Sequence, residues 1–103
     1  MSVKEQRDTG VIDKEDVRQN KPPMYNVIMI NDDFTPMNFV VDVLTGIFNK
    51  STDDANRIML QVHKSGKGVA GTYTKDIAAT KSEQAETFAR NEGHPFKLTL
   101  EPV

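Results

Sequence analysis

The chain contains no cysteine and no tryptophan. Disulfides, thiolate nucleophiles and cysteine zinc sites are therefore excluded together, a set of absences that suits a reducing compartment. Long apolar runs are also missing. Val27-Ile28-Met29-Ile30 and Phe39-Val40-Val41 fall far short of a membrane span, and the charged amino terminus has no apolar signal core. No membrane association is expected, and the cytoplasm is the expected location. Nor is charge of one sign concentrated anywhere. Thirteen basic and 15 acidic residues give a formal charge of −2, with no Lys or Arg run dense enough to track phosphates. Nucleic acid is not an expected partner. Catalytic signatures are absent as well: there is no Gly-x-Ser-x-Gly and no phosphate-cradling glycine loop, and Ser65 and His63 sit side by side at a helix end rather than facing each other.

What remains is a chain of 103 residues with five Met and five Phe. That length holds one domain, which buries about two-thirds of the surface the unfolded chain exposes. Thioether side chains fill irregular gaps and line adaptable pockets, so the methionines serve either a core or a binding surface. Residues 1–22 alternate charges around scattered small apolar side chains such as Val11, Ile12 and Val17, without a sustained period. They read as a flexible amino-terminal extension, and residues 23–103 as the core domain.

In that core, Met24–Ile30 reads as a β-strand closed by the Asn31-Asp32-Asp33 turn cluster. Thr35-Pro36 is a helix-start signal with Thr35 as the cap, and the first helix is expected from Pro36 to about Asn49. Its buried stripe is Phe39, Val40, Val43, Leu44 and Ile47. Ser51 caps a second helix with Asp53 and Asp54 in its first turn, ending near Gly66. A Gly66-Lys67-Gly68 turn leads to a strand over Val69–Thr74. Thr74 is expected to cap a third helix over Lys75–Glu92, with Ile77, Lys81, Ala85 and Phe88 on one face. Phe96–Leu100 alternates as a last strand. The fold class is α+β: a small three-stranded antiparallel sheet packed with three helices, in the order β-α-α-β-α-β.

Five residues carry candidate chemistry. Asn31 and Asp32 lie between a strand end and a helix start, where such residues commonly close their own turn. Their oxygens can equally accept the donors of a primary ammonium, at about 1.5–3 kcal/mol net per charge-assisted bond. His63 shares a helix face with Met59, near the carboxy-terminal end where a histidine also suits the helix dipole. Met37 and Met59, with Val40 and Val62, make either core or pocket wall. His94, before Pro95, has no metal ligand at a matching spacing, and no metal site is expected. An Asp32–His63 dyad activating water has no accompanying nucleophile or oxyanion donor.

Taken jointly, Ile30-Asn-Asp-Asp-Phe-Thr-Pro-Met37 with Phe39-Val40, Met59-Leu-Gln-Val-His63, Gly71, Thr74, Ile77-Ala78, Thr80-Lys81, His94-Pro95 and Thr99-Leu-Glu101 resemble ClpS, the bacterial adaptor of the Clp protease. The match runs over residues 22–103. The resemblance implies a protein that is not an enzyme and needs no cofactor. It implies binding of proteins whose amino-terminal residue is Phe, Tyr, Trp or Leu, and their delivery to the amino-terminal domain of the ClpA unfoldase for degradation by ClpAP. Residue by residue, it implies that Asn31, Asp32 and His63 hold the substrate α-amino group. Asp33, Thr35, Met37, Val40, Met59, Val62 and Phe96 correspond to the side-chain pocket, with Met37 restricting β-branched side chains. Phe34, Asp76 and Lys81 correspond to the unfoldase-binding surface, and the polar extension to the segment needed for delivery. The chain departs from the family pattern at Phe34, where Tyr is more frequent, at Asn38, in place of an acidic residue, and at Asp76 and Ala79, where Glu is frequent.

Overall fold

Val27 and Met29 are fully buried in the core and Ile28, on the opposite face, is 5% exposed, which marks the run Met24–Ile30 as a central strand. In the computed structural model, which describes residues 21–103, this strand, β1, is the centre of a three-stranded sheet of order β2-β1-β3. Nearly all of the expected amino-terminal extension lies outside the described residues. β2 (Lys67–Thr74) and β3 (Lys97–Pro102) both run antiparallel to β1, with Ile30 opposite Lys67 on one side and Lys97 on the other. A bulge between Val27 and Ile28 leaves Ala70 as the extra residue on β2. Both neighbours of β1 thus begin where β1 ends, which gathers three chain segments at one end of the sheet.

The helices are α1 (Met37–Gly46), α2 (Thr52–Ser65) and α3 (Lys75–Asn91), so the fold class and element order are those expected. Phe39, Val40, Val43 and Leu44 of α1 are buried at the predicted three- and four-residue spacing. The helix stops at Gly46 rather than Asn49, which adopts a left-handed conformation at φ 58°. Pro36, not Thr35, is the residue at the cap, and no side chain caps this helix. Ser51 does cap α2, accepting from the Asp54 amide at 3.1 Å. Gly66 ends α2 at φ 89°, a left-handed turn that glycine adopts without steric cost. Lys67 and Gly68 already belong to β2, so the turn is one residue rather than three. A Cβ on Gly68 would stand 2.9 Å from Val62 Cγ2, so the absence of a side chain there lets α2 approach the sheet.

Of the expected face of α3, only Ala85 is buried. Ala78, Ala85 and Ala89 are buried, whereas Ile77 is 49% and Phe88 39% exposed. Small side chains let this helix lie close to the sheet, and the larger ones turn to the flank. Thr74 occupies the cap position of α3 but makes no side-chain cap bond. The Leu98 amide on the outer edge of β3 donates to Glu86 Oε2 of α3 at 3.0 Å, which occupies an amide open to edge-to-edge pairing.

Ser82, four residues after Ala78 on the same face, has a buried hydroxyl without a hydrogen-bond partner among the described residues. Such a group costs about 1–3 kcal/mol, and alanine is the better helix former. Ser82→Ala is therefore expected to raise the unfolding midpoint by several degrees, about 4–8 °C per kcal/mol for a domain of this size, in a calorimetric scan. A lowered midpoint would contradict this account of the α3 face.

Candidate functional site

The loop between β1 and α1 is closed by its own second residue. Asp32 Oδ1 accepts from the Phe34 amide at 2.8 Å and the Thr35 amide at 2.7 Å, and Asp32 Oδ2 accepts from the Thr35 hydroxyl at 2.7 Å. Thr35 donates its hydroxyl to Asp32 and lies one residue before the cap position, which Pro36 occupies. Partial burial pushes the Asp32 carboxyl up, but the Thr35 hydroxyl, the Thr35 and Phe34 amides and nearby His94 together outweigh it. The group lies below the ordinary carboxylate value. One residue earlier, the Asn31 amide donates to the Gly66 carbonyl at 2.9 Å, which fastens this loop to the end of α2.

Between the loop and α2 opens a cavity of about 370 Å³. Asn31, Asp32, Asp33, Phe34, Thr35 and Pro36 of the loop, with Met37 and Val40 of α1, line one side, and Met59, Val62 and His63 of α2 line the other. Val40 and Val62 are buried and form its apolar depth, Met59 is half-buried, and Asn31, Asp33, Met37 and His63 are exposed. His63 occupies the last turn of α2. The five residues singled out from the sequence, Asn31, Asp32, Met37, Met59 and His63, thus meet in one cavity, as do Asp33, Thr35, Val40 and Val62. Phe96 does not line it. This residue is 2% exposed and packs edge-on against Phe39, ring centroids 6.3 Å apart, so it lies in the core rather than on the wall.

Three of the residues brought to this end were not predicted as part of the pocket. Phe34 and Pro36 line the cavity. His94 packs edge-on against Phe39 with ring centroids 4.7 Å apart, and acts electrostatically on Asp32. Nothing in the sequence spacing links His94 to Asp32, since their proximity comes from β3 starting beside the end of β1. Asp76 is exposed in the first turn of α3. Lys81 is half-buried: its ammonium donates to the Ile47 carbonyl at 2.7 Å, just past the end of α1, and lies 5.4 Å from the Tyr73 ring centroid.

The chemistry of this cavity is divided. Its depth is apolar, while its mouth offers amide, carboxylate and imidazole groups, an arrangement suited to an apolar group attached to a cation. Asp32 commits three of about four acceptor positions to the loop, leaving one on Oδ2. A carboxylate held in this way is a weak base, which argues against water activation by Asp32 and His63. No group of His, Cys, Asp and Glu among the described residues is arranged to hold a metal. A larger groove of about 440 Å³ follows α3, but Thr80, Glu83, Gln84, Thr87, Phe88 and Asn91 all belong to that one helix and converge on no polar centre.

Comparison with known proteins is consistent in sequence and structure. Residues 20–99 match the family model described as ATP-dependent Clp protease adaptor protein ClpS. The ClpS adapter proteins of Burkholderia mallei (strain SAVP1) and Paraburkholderia xenovorans (strain LB400) are 46% and 44% identical over 99 residues, covering 96% of this chain and 95% of each relative. The structure of Agrobacterium tumefaciens ClpS2 bound to L-phenylalaninamide aligns with a TM-score of 0.78 at 37% identity, covering 81% of this chain and 100% of that one.

The loop geometry predicts a pH-dependent effect of Asp32→Asn. The native carboxyl titrates below its unfolded value of about 3.9, so its contribution to stability is complete above that range and is lost as the pH falls through the lower native value. The variant is expected to be less stable by about 1 kcal/mol at neutral pH, allowing for solvent screening. Urea unfolding should show that difference closing on acidification, and a gap that widens in acid would contradict the loop's dependence on the charge.

Proposed function

The chain belongs to the ClpS family of Clp protease adaptors, and from that membership we propose that this adaptor captures proteins by a free amino-terminal Phe, Tyr, Trp or Leu. The observation that carries the reading is the divided cavity, with Val40 and Val62 in its depth and Asn31, Asp32 and His63 around its mouth. L-Phenylalaninamide, bound to Agrobacterium ClpS2, has the free amine and the amide-linked carbonyl of a chain beginning with Phe. A free α-amine has a pKa of about 7.7–8.0 and is largely cationic at neutral pH. An aromatic side chain buries about 150–250 Å², a gross gain of about 4–6 kcal/mol before ordering costs. Charge-assisted bonds at the mouth add selection for a free amine that the apolar walls cannot provide. Met37, exposed at the mouth, narrows the entry where a β-branched side chain is widest.

Delivery to the ClpA unfoldase in the cytoplasm, for degradation by ClpAP, belongs to the same proposal. It assigns Phe34, Asp76 and Lys81 to the contact with the unfoldase amino-terminal domain, and residues 1–22 to the step after docking. Lys81 already donates to the Ile47 carbonyl, so a partner carboxylate at Lys81 has to share that ammonium.

The test is a titration of fluorescent peptides that differ only in their first residue and its acetylation. Peptides beginning with a free Phe or Leu are expected to bind at least about tenfold more tightly than their acetylated forms, the value of one charge-assisted bond. Val and Ile peptides are expected to bind more weakly than Leu peptides, and none should be cleaved. Equal affinity for free and acetylated peptides would overturn the reading. Equal affinity for Leu and Ile would overturn the role given to Met37.

A further inference from the structure

Phe34 is 78% exposed, whereas Phe39, Phe48 and Phe96 are 6%, 3% and 2% exposed. A loose backbone does not account for this. The Phe34 amide is held to Asp32, and the next residue is held to the same carboxylate by its amide and its hydroxyl. A bare aromatic ring on a pinned loop has the character of an interface anchor, because little conformational freedom is lost when it is covered. Phe34 also lines the same cavity as Asn31, Asp32, Met37 and His63, so a chain leaving the mouth passes beside it.

The inference rests on the proposed capture of an amino-terminal residue. With the first side chain in the cavity and its amine at the mouth, the next Cα lies about 3.8 Å further along the chain. In an extended chain the second side chain points away from the direction of the first, out of the cavity and onto its rim. We propose that Phe34 is a specificity-determining contact for the second residue of the bound chain, favouring a large apolar side chain there over glycine. The first residue is selected by enclosure between loop and helix, whereas the second meets one open ring. Selection at the second position is therefore graded rather than absolute.

The test uses the full chain and two labelled peptides identical except at the second position, Phe-Leu and Phe-Gly, read by fluorescence anisotropy against the natural protein, Phe34→Ala and Phe34→Tyr. The natural protein and Phe34→Tyr are expected to prefer Phe-Leu by about fivefold, the scale of partly burying one apolar side chain. In Phe34→Ala the ratio should fall to about one. A ratio of one in the natural protein, or an undiminished ratio in Phe34→Ala, would overturn the inference. A ring serving only unfoldase docking, or only loop packing, gives that undiminished ratio. Acetylated peptides separate this failure from failure of the underlying reading: if acetylation abolishes binding while Phe34→Ala keeps the ratio, only the inference falls. If acetylated peptides bind as well as free ones, both fall. The ring is mostly solvated, so Phe34→Ala should keep its thermal midpoint, and that measurement is made alongside.

Discussion

Three hydrogen bonds converge on the Asp32 carboxylate, and the geometry of the cavity depends on them. They turn the chain from the end of β1 into α1, fix Phe34 and Thr35, and set where Pro36 and Met37 begin the helix. The loop is in turn bound to α2 by the Asn31 amide on the Gly66 carbonyl. Gly66 has left-handed geometry because α2 must end there and return as β2. A side chain that closes its own turn and a side chain that faces a ligand are usually alternatives. Asp32 closes the turn and still lines the cavity, with one acceptor position left after the loop is satisfied.

The same economy runs through the packing. Gly68 admits Val62 against the sheet, and Val62 is also a cavity wall, so the close approach of α2 to β2 helps set the depth of the pocket. At the far end of α1, Lys81 holds the Ile47 carbonyl while its charge lies near the Tyr73 ring. A Cβ on Gly71 would meet the Tyr73 ring, 2.5 Å from its hydroxyl, so this glycine leaves room for the aromatic partner of Lys81. α1 is thus fastened at both ends, by Asp32 through the loop before it and by Lys81 just beyond its last turn. Burial pushes the Tyr73 hydroxyl up, which keeps that ring neutral beside the ammonium.

Much of this was legible in the sequence, and the misses have separate causes. The limits of β1, the Ser51 cap and the apolar stripe of α1 follow from local chemistry and agree with the structure. On α3 a periodicity argument gives most weight to large apolar residues, whereas a helix lying close on a sheet buries its smallest side chains. Thr35, a hydroxyl before a proline, has the local pattern of a cap. The helix begins at Met37, so Pro36 takes the cap position and Thr35 is tied back to Asp32. Spacing left Asn31, Asp32, Met37, Met59 and His63 open between structural and binding roles, and the resemblance to an adaptor family singled them out. Phe96 and His94 depend on where β3 starts relative to β1, a non-local relation that no local pattern contains.

In the proposed mode of capture, an amino-terminal side chain enters the cavity between the loop and α2. Labelled methionine methyl groups report on it directly, because Met37 and Met59 line the cavity whereas Met29 is fully buried in the core and Met24 begins β1. On addition of L-phenylalaninamide, NMR spectra should show ring-current shifts at the Met37 and Met59 methyls, with Met24 and Met29 unmoved. Shifts confined to Met24, or none at Met37 and Met59 at a saturating ligand concentration, would contradict the account.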